Sequence, residues 1–102
     1  MKLITYEKAK EEIVLLQEFV DLVETYEADT LEKWVILEYA MCNNLTEVAK
    51  RANDKGFTTE TGEPIKQQNI VNFIKSRPQD RLHRILLSGY MLRTRHSRNK
   101  KI

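Results

Sequence analysis

One cysteine, two prolines and three glycines in 102 residues exclude several large classes of protein. A lone Cys42 rules out an intramolecular disulfide framework and a cysteine-based zinc site, and it suits a reducing cytoplasm. The scarcity of Gly and Pro argues against a turn-rich β-sandwich and against a disordered linker. No apolar run reaches the roughly 18–20 residues of a membrane span. The start, Met1-Lys2-Leu3-Ile4-Thr5-Tyr6-Glu7, turns acidic at once and has no signal-peptide core, so a cytoplasmic location is expected. What remains is 41% hydrophobic and 31% charged, a mixture that suits one helical globular domain with a modest core.

The net charge of +2 hides a split. Residues 1–45 hold four basic side chains against ten acidic ones, a net −6, and residues 46–102 hold thirteen against five, a net +8. Such asymmetry fits an acidic contact half joined to a polyanion-binding half. It equally fits two halves that attract each other within one fold.

Periodicity predicts helices through most of the chain. From Thr5 to Tyr26, the residues Tyr6, Ala9, Ile13, Leu16, Val20 and Val23 are spaced 3, 4, 3, 4, 3, a heptad seam. A second row, Leu15, Phe19, Leu22 and Tyr26, lies on another face. A helix with two apolar stripes has two things to bury. Either both are buried inside one chain, or Tyr6, Ile13, Leu16, Val20 and Val23 meet a partner, in a homodimer or a complex with another protein.

Asp29 with Glu32 reads as a capping pair for a second helix, Leu31 to about Cys42, with Leu31, Trp34, Val35, Leu37 and Met41 as its apolar surface and Trp34 as core anchor. Asn43-Asn44 makes a turn, and Asn44 with Glu47 caps a third helix that runs to about Lys55. Its inward residues are Leu45, Val48, Ala49 and Ala52, and Gly56 is placed to stop it in a left-handed conformation. The threonine-rich stretch 57–65 predicts a small β excursion, closed by Pro64. Helical period returns at Lys66, with Ile70, Phe73 and Ile74 inward. Ser76-Arg77-Pro78 breaks it, and Pro78 fits the first turn of a last helix bearing Leu82, Ile85, Leu86 and Tyr90. The expected architecture is therefore all-α, with four or five helices. It divides into an amphipathic helix (1–28), a helix-turn-helix core (29–92) and a basic tail (93–102).

Two short helices joined by a turn, the second rich in amides and bases, form a helix-turn-helix pattern. Ala49 or Ala52 allows the helices to cross closely. The second helix offers Lys66, Gln67, Gln68, Asn69, Asn72 and Lys75 opposite its apolar stripe. Gln and Asn pair two-pronged with adenine in the major groove, and Lys reaches guanine or phosphate. Six polar positions without one carboxylate are what a phosphate-lined groove selects. The plainer reading is a polar, solvated helix face. Arg51, Lys55 and Thr59 flank the pattern on one side. Arg77, Arg81 and Arg84 could clamp phosphates on the other, and Arg93, Arg95, His96, Arg98, Lys100 and Lys101 could follow the DNA backbone.

Leu45 to Ser76 resembles the helix-turn-helix segment of serine-recombinase-type, resolvase-like proteins. The residues that carry the resemblance are Val48-Ala49-Lys50-Arg51-Ala52-Asn53-Asp54-Lys55-Gly56-Phe57-Thr58-Thr59, then Gly62-Glu63-Pro64-Ile65, then Ile70, Phe73 and Ile74. They span about a third of the chain. The resemblance implies a DNA-binding unit with a long turn and its second helix in the major groove. The segment before it reads as two helices, without the family's catalytic domain and nucleophilic serine. The ribbon of cysteine pairs that often follows is absent, and Lys66 stands where family members place a small capping residue. The resemblance thus implies a stand-alone regulator or accessory factor, of the kind common on phages and mobile elements, rather than a recombinase.

Catalytic patterns are lacking. His83 and His96 lie among arginines, a context suited to phosphate contact or exposure. No Ser–His–Asp order, Gly-rich phosphate loop or metal-ligand spacing occurs. No catalysis, cofactor or metal is expected. The sequence predicts a transcriptional regulator that binds double-stranded DNA. The rival reading is an adaptor or inhibitor that acts through the N-terminal helix.

Overall fold

The computed structural model describes residues 5–98, with side chains through residue 95. Lys100 and Lys101 of the expected tail, and the side chains of His96 and Arg98, lie outside what is described. Five helices follow in order: α1 (Tyr6–Thr25), α2 (Leu31–Cys42), α3 (Leu45–Asp54), α4 (Gln67–Lys75) and α5 (Arg81–Arg98). The fold is all-α.

Local chemistry sets most of the helix ends. Thr5 Oγ1 accepts the Lys8 N–H at 3.1 Å and starts α1. Asn44 Oδ1 accepts the Glu47 N–H at 3.0 Å and starts α3. Between α2 and α3 the chain reverses at Asn43, whose φ of 50° is a left-handed conformation that Asn tolerates better than most residues. Gly56, at φ +87°, ends α3 as its sequence position predicts.

Two starts differ from expectation. Thr30, not Asp29, caps α2 by accepting the Lys33 N–H at 3.2 Å, while Asp29 pairs with the Lys33 ammonium at 3.5 Å. Pro78 precedes α5 instead of entering its first turn. Asp80 is the cap, accepting the His83 N–H at 2.8 Å.

The expected β excursion is also absent: no strand occurs among the described residues. Residues 57–65 form a compact turn in which the Thr59 N–H donates to Glu63 O and the Gly62 N–H to Thr59 O, both at 2.9 Å. Thr59 Oγ1 accepts the Glu63 N–H at 3.0 Å. The threonine that favoured a strand by propensity instead closes the turn with its side chain.

α3 and α4 pack together, α2 lies against both, α5 crosses α2 and α4, and α1 docks on α5 and α2. The core is Val35, Ile36 and Tyr39 of α2, Val48, Ala49 and Ala52 of α3, Ile65, Ile70 and Ile74, and Leu82 of α5. Each fully buried aliphatic here contributes roughly 1.5–3 kcal/mol. Trp34 sits at the edge, tilted against Phe57 with centroids 5.1 Å apart. Met41, expected inward, is exposed. His83 is a larger correction: it is buried, and its Nε2 bonds the Ile74 carbonyl at 3.0 Å, satisfying a free carbonyl at the end of α4.

α1 contributes no fully buried residue. Phe19, Leu22, Val23 and Tyr26 pack against the core from one side of its C-terminal half. Its N-terminal half stands clear. The radius of gyration, 15.7 Å, accordingly exceeds the roughly 13 Å of a compact domain this size.

Candidate nucleic-acid interface

α3 and α4 are held in fixed relation by three devices. Ala49 and Ala52 let the helices approach closely. The Gln67 Nε2 donates to Thr46 Oγ1 at the rim of the crossing. Asn53 of α3 grips the last buried residue before α4: the Ile65 N–H donates to Asn53 Oδ1 at 2.8 Å and Asn53 Nδ2 donates to Ile65 O at 2.9 Å. Lys66 cannot accept a bond as N-cap, but Asn69 Oδ1 accepts the Lys66 N–H at 2.7 Å and steadies the first turn.

Ile70 and Ile74 anchor α4 inward, which turns Gln68, Asn72 and Lys75 to solvent on the opposite face. Gln68 Nε2 donates to Asn72 Oδ1 at 2.9 Å. That bond leaves the Gln68 Oε1 acceptor and the Asn72 Nδ2 donors outward, an acceptor–donor array on one exposed ridge. The six expected residues of this segment therefore separate. Gln68, Asn72 and Lys75 share the ridge, Lys66 stands at its N-terminal end, Gln67 turns to α3, and Asn69 is spent on the cap.

A cleft of about 730 Å³ runs beside α4, lined by Asn69, Asn72 and Phe73 on one wall and by Thr30, Glu32 and Glu60 opposite. Carboxylates on that wall repel phosphate. The other flank, toward α3, bears exposed Lys50 one turn beyond Thr46.

Several expected phosphate contacts are committed elsewhere. The Arg51 guanidinium pairs with Glu38 and Glu47, both at 3.2 Å, and these bonds, Glu38 first, raise its pKa. Arg81 makes a two-pronged bond to Glu18 at 2.8 and 3.1 Å, which holds the Glu18 carboxyl below its ordinary range. Arg93 donates to Asn43 Oδ1 at 2.8 Å and to the Tyr39 hydroxyl, and lies over the Tyr39 ring. Thr59 closes its own turn. Lys55, Arg77 and Arg95 are exposed, as is Arg84. Lys50 is exposed beside the paired Arg51. The spacing held the signal, since Glu47 precedes Arg51 by four residues, a favourable ion-pair order, whereas Thr46 precedes Lys50.

Of the residues expected to meet a partner, Tyr6, Ile13, Leu16 and Val20 are exposed and Val23 packs on the core. Among the described residues no group of His, Cys, Asp or Glu is arranged to hold a metal ion, and no helix is long and apolar enough to cross a membrane. No protein-family model, curated protein or solved structure matches the chain.

Proposed function

We propose that the protein is a non-catalytic, sequence-specific double-stranded DNA-binding factor, a transcriptional regulator or accessory protein of a phage or mobile element. One observation carries this reading: the outward ridge of α4 presents Gln68, Asn72 and Lys75 with no carboxylate on the helix, while its inward side is locked to the core. In this reading α4 enters the major groove, where the paired amides face base edges. Lys50, Lys55, Lys66 and Arg77 meet phosphates, and α3 lies across the backbone. Arg51 and Arg93 keep structural duties.

Fluorescence anisotropy with a random-sequence duplex tests the electrostatic part. With these four phosphate contacts, affinity falls roughly a hundredfold between about 50 and about 200 mM salt. Absence of binding at either concentration overturns the reading.

A second reading, a protein adaptor acting through α1, is favoured by the exposed apolar residues of that helix. Under it, Ile13→Glu abolishes partner binding and Gln68→Ala changes nothing.

A further inference from the structure

We propose that the free face of α1 is covered by α1 of a second copy of this chain, the two helices running parallel as a short coiled coil. This takes further the contact role read for α1. The observation is an apolar seam with no partner: Tyr6 is 72%, Ile13 66%, Leu16 63% and Val20 44% exposed. Burial of such side chains is a main driving force for association, and a patch of this kind on a small domain marks an interaction surface.

The occupant follows from spacing and charge. A docking patch for an unrelated protein needs no strict repeat, whereas this seam keeps heptad spacing from Tyr6 to Val20, before Val23 turns to the chain's own core, and that is the repeat of a self-pairing coil. α1 is acidic, yet four of its six carboxylates, Glu7, Glu11, Glu18 and Asp21, lie off the seam; only Glu12 and Glu24 flank it. With Tyr6, Ile13 and Val20 as first and Ala9, Leu16 and Val23 as fourth heptad positions, the other flanking residues include Lys10, Gln17 and, turned to the chain's own core, Phe19 and Tyr26. In a parallel pair Glu12 faces Gln17 of the second copy, and no like charges oppose across the seam. The flanks suit an identical helix and do not demand a basic one.

Orientation follows from where each domain hangs. The core-facing residues Phe19, Leu22 and Tyr26 all lie to one side of the seam around the helix. In a parallel pair the two-fold axis runs between the helices and sends the domains to opposite sides. An antiparallel pair leaves both on the same side, so the parallel pair is the arrangement that sets the two domains apart.

Sedimentation equilibrium of the full chain without DNA, over a dilution series, gives twice the 12.1 kDa monomer mass at the concentrated end. Ile13→Glu with Leu16→Glu gives the monomer mass and an unchanged helical circular dichroism spectrum, because both side chains lie outside the core. In a Cys42→Ser background, oxidised Ile13→Cys forms a covalent dimer, since residue 13 meets itself only in the parallel arrangement, and Leu15→Cys, off the seam, does not. A monomer throughout, or a dimer that survives the double glutamate variant, overturns the proposal. A dimer that the glutamates break but Ile13→Cys does not link overturns the parallel arrangement. All these measurements are made without DNA, so failure of the α4 reading leaves them unaffected.

Discussion

Asn53 binds Ile65 through both backbone groups of that residue, the N–H at 2.8 Å and the carbonyl at 2.9 Å, from twelve residues away in the chain. The turn over residues 57–65 has no sheet ladder to satisfy its backbone, and this amide supplies the missing partners where the chain re-enters the core. The placement of α4 on α3 depends on it.

Asn53→Ala removes both bonds and leaves two groups of a buried residue short of partners, at a cost of about 2–3 kcal/mol in urea unfolding. Asn53→Asp keeps the acceptor for the Ile65 N–H and loses the donor, so about half of that loss is expected. Equal, near-zero effects contradict the clamp.

Asp80 joins the two ends of the sequence, with one oxygen on the His83 N–H and the other accepting the Tyr26 hydroxyl at 2.7 Å. Burial, and then the bond to Asp80, raise the pKa of Tyr26 well above its ordinary value near 10. The fold thus favours the protonated phenol. Its contribution is complete below pH 10 and is lost as pH rises past 10 toward the folded-state pKa. Tyr26→Phe costs about 1.5–3 kcal/mol at neutral pH and makes the alkaline decline in stability shallower. The decline does not vanish, because burial also raises Tyr39. Chemical denaturation at neutral pH and in the alkaline range reads both effects.

At Asn43, φ is 50° and the side chain accepts from Arg93. Both Asn43→Gly and Asn43→Ala lose the Arg93 bond, so their difference isolates the backbone. The alanine variant is the less stable by about 1 kcal/mol. Melting temperatures of the pair test this, and equal values contradict a left-handed requirement there.

How much of this was legible varies with the range of the causing contact. α3 was readable almost to the residue, because Asn44, Glu47 and Gly56 act on their own neighbours. The inward stripes of α3 and α4 were readable from their period. Asp29 looked a better cap than Thr30 because both precede the helix and side-chain chemistry alone does not choose between them. The turn at 57–65 was misread because strand propensity in Thr58, Thr59 and Thr61 competes with their capacity to bond their own backbone, and Asn53 settles the competition from a distance. Long-range partners also decided the arginines. Arg81 meets Glu18, 63 residues away, and Arg51 meets Glu38, so the basic half is partly neutralised by the acidic half, as the reading of two mutually attracting halves expects. His83 looked exposed among arginines because its burial depends on where α4 ends.

The most direct test of the central claim is selection and sequencing of random duplex DNA bound by the intact protein, set against the Gln68→Ala, Asn72→Ala double variant. The intact protein recovers a defined motif. The double variant keeps its fold and its salt-sensitive affinity but loses the motif. Recovery of the same motif by both proteins, or of none by the intact protein, contradicts base reading by α4.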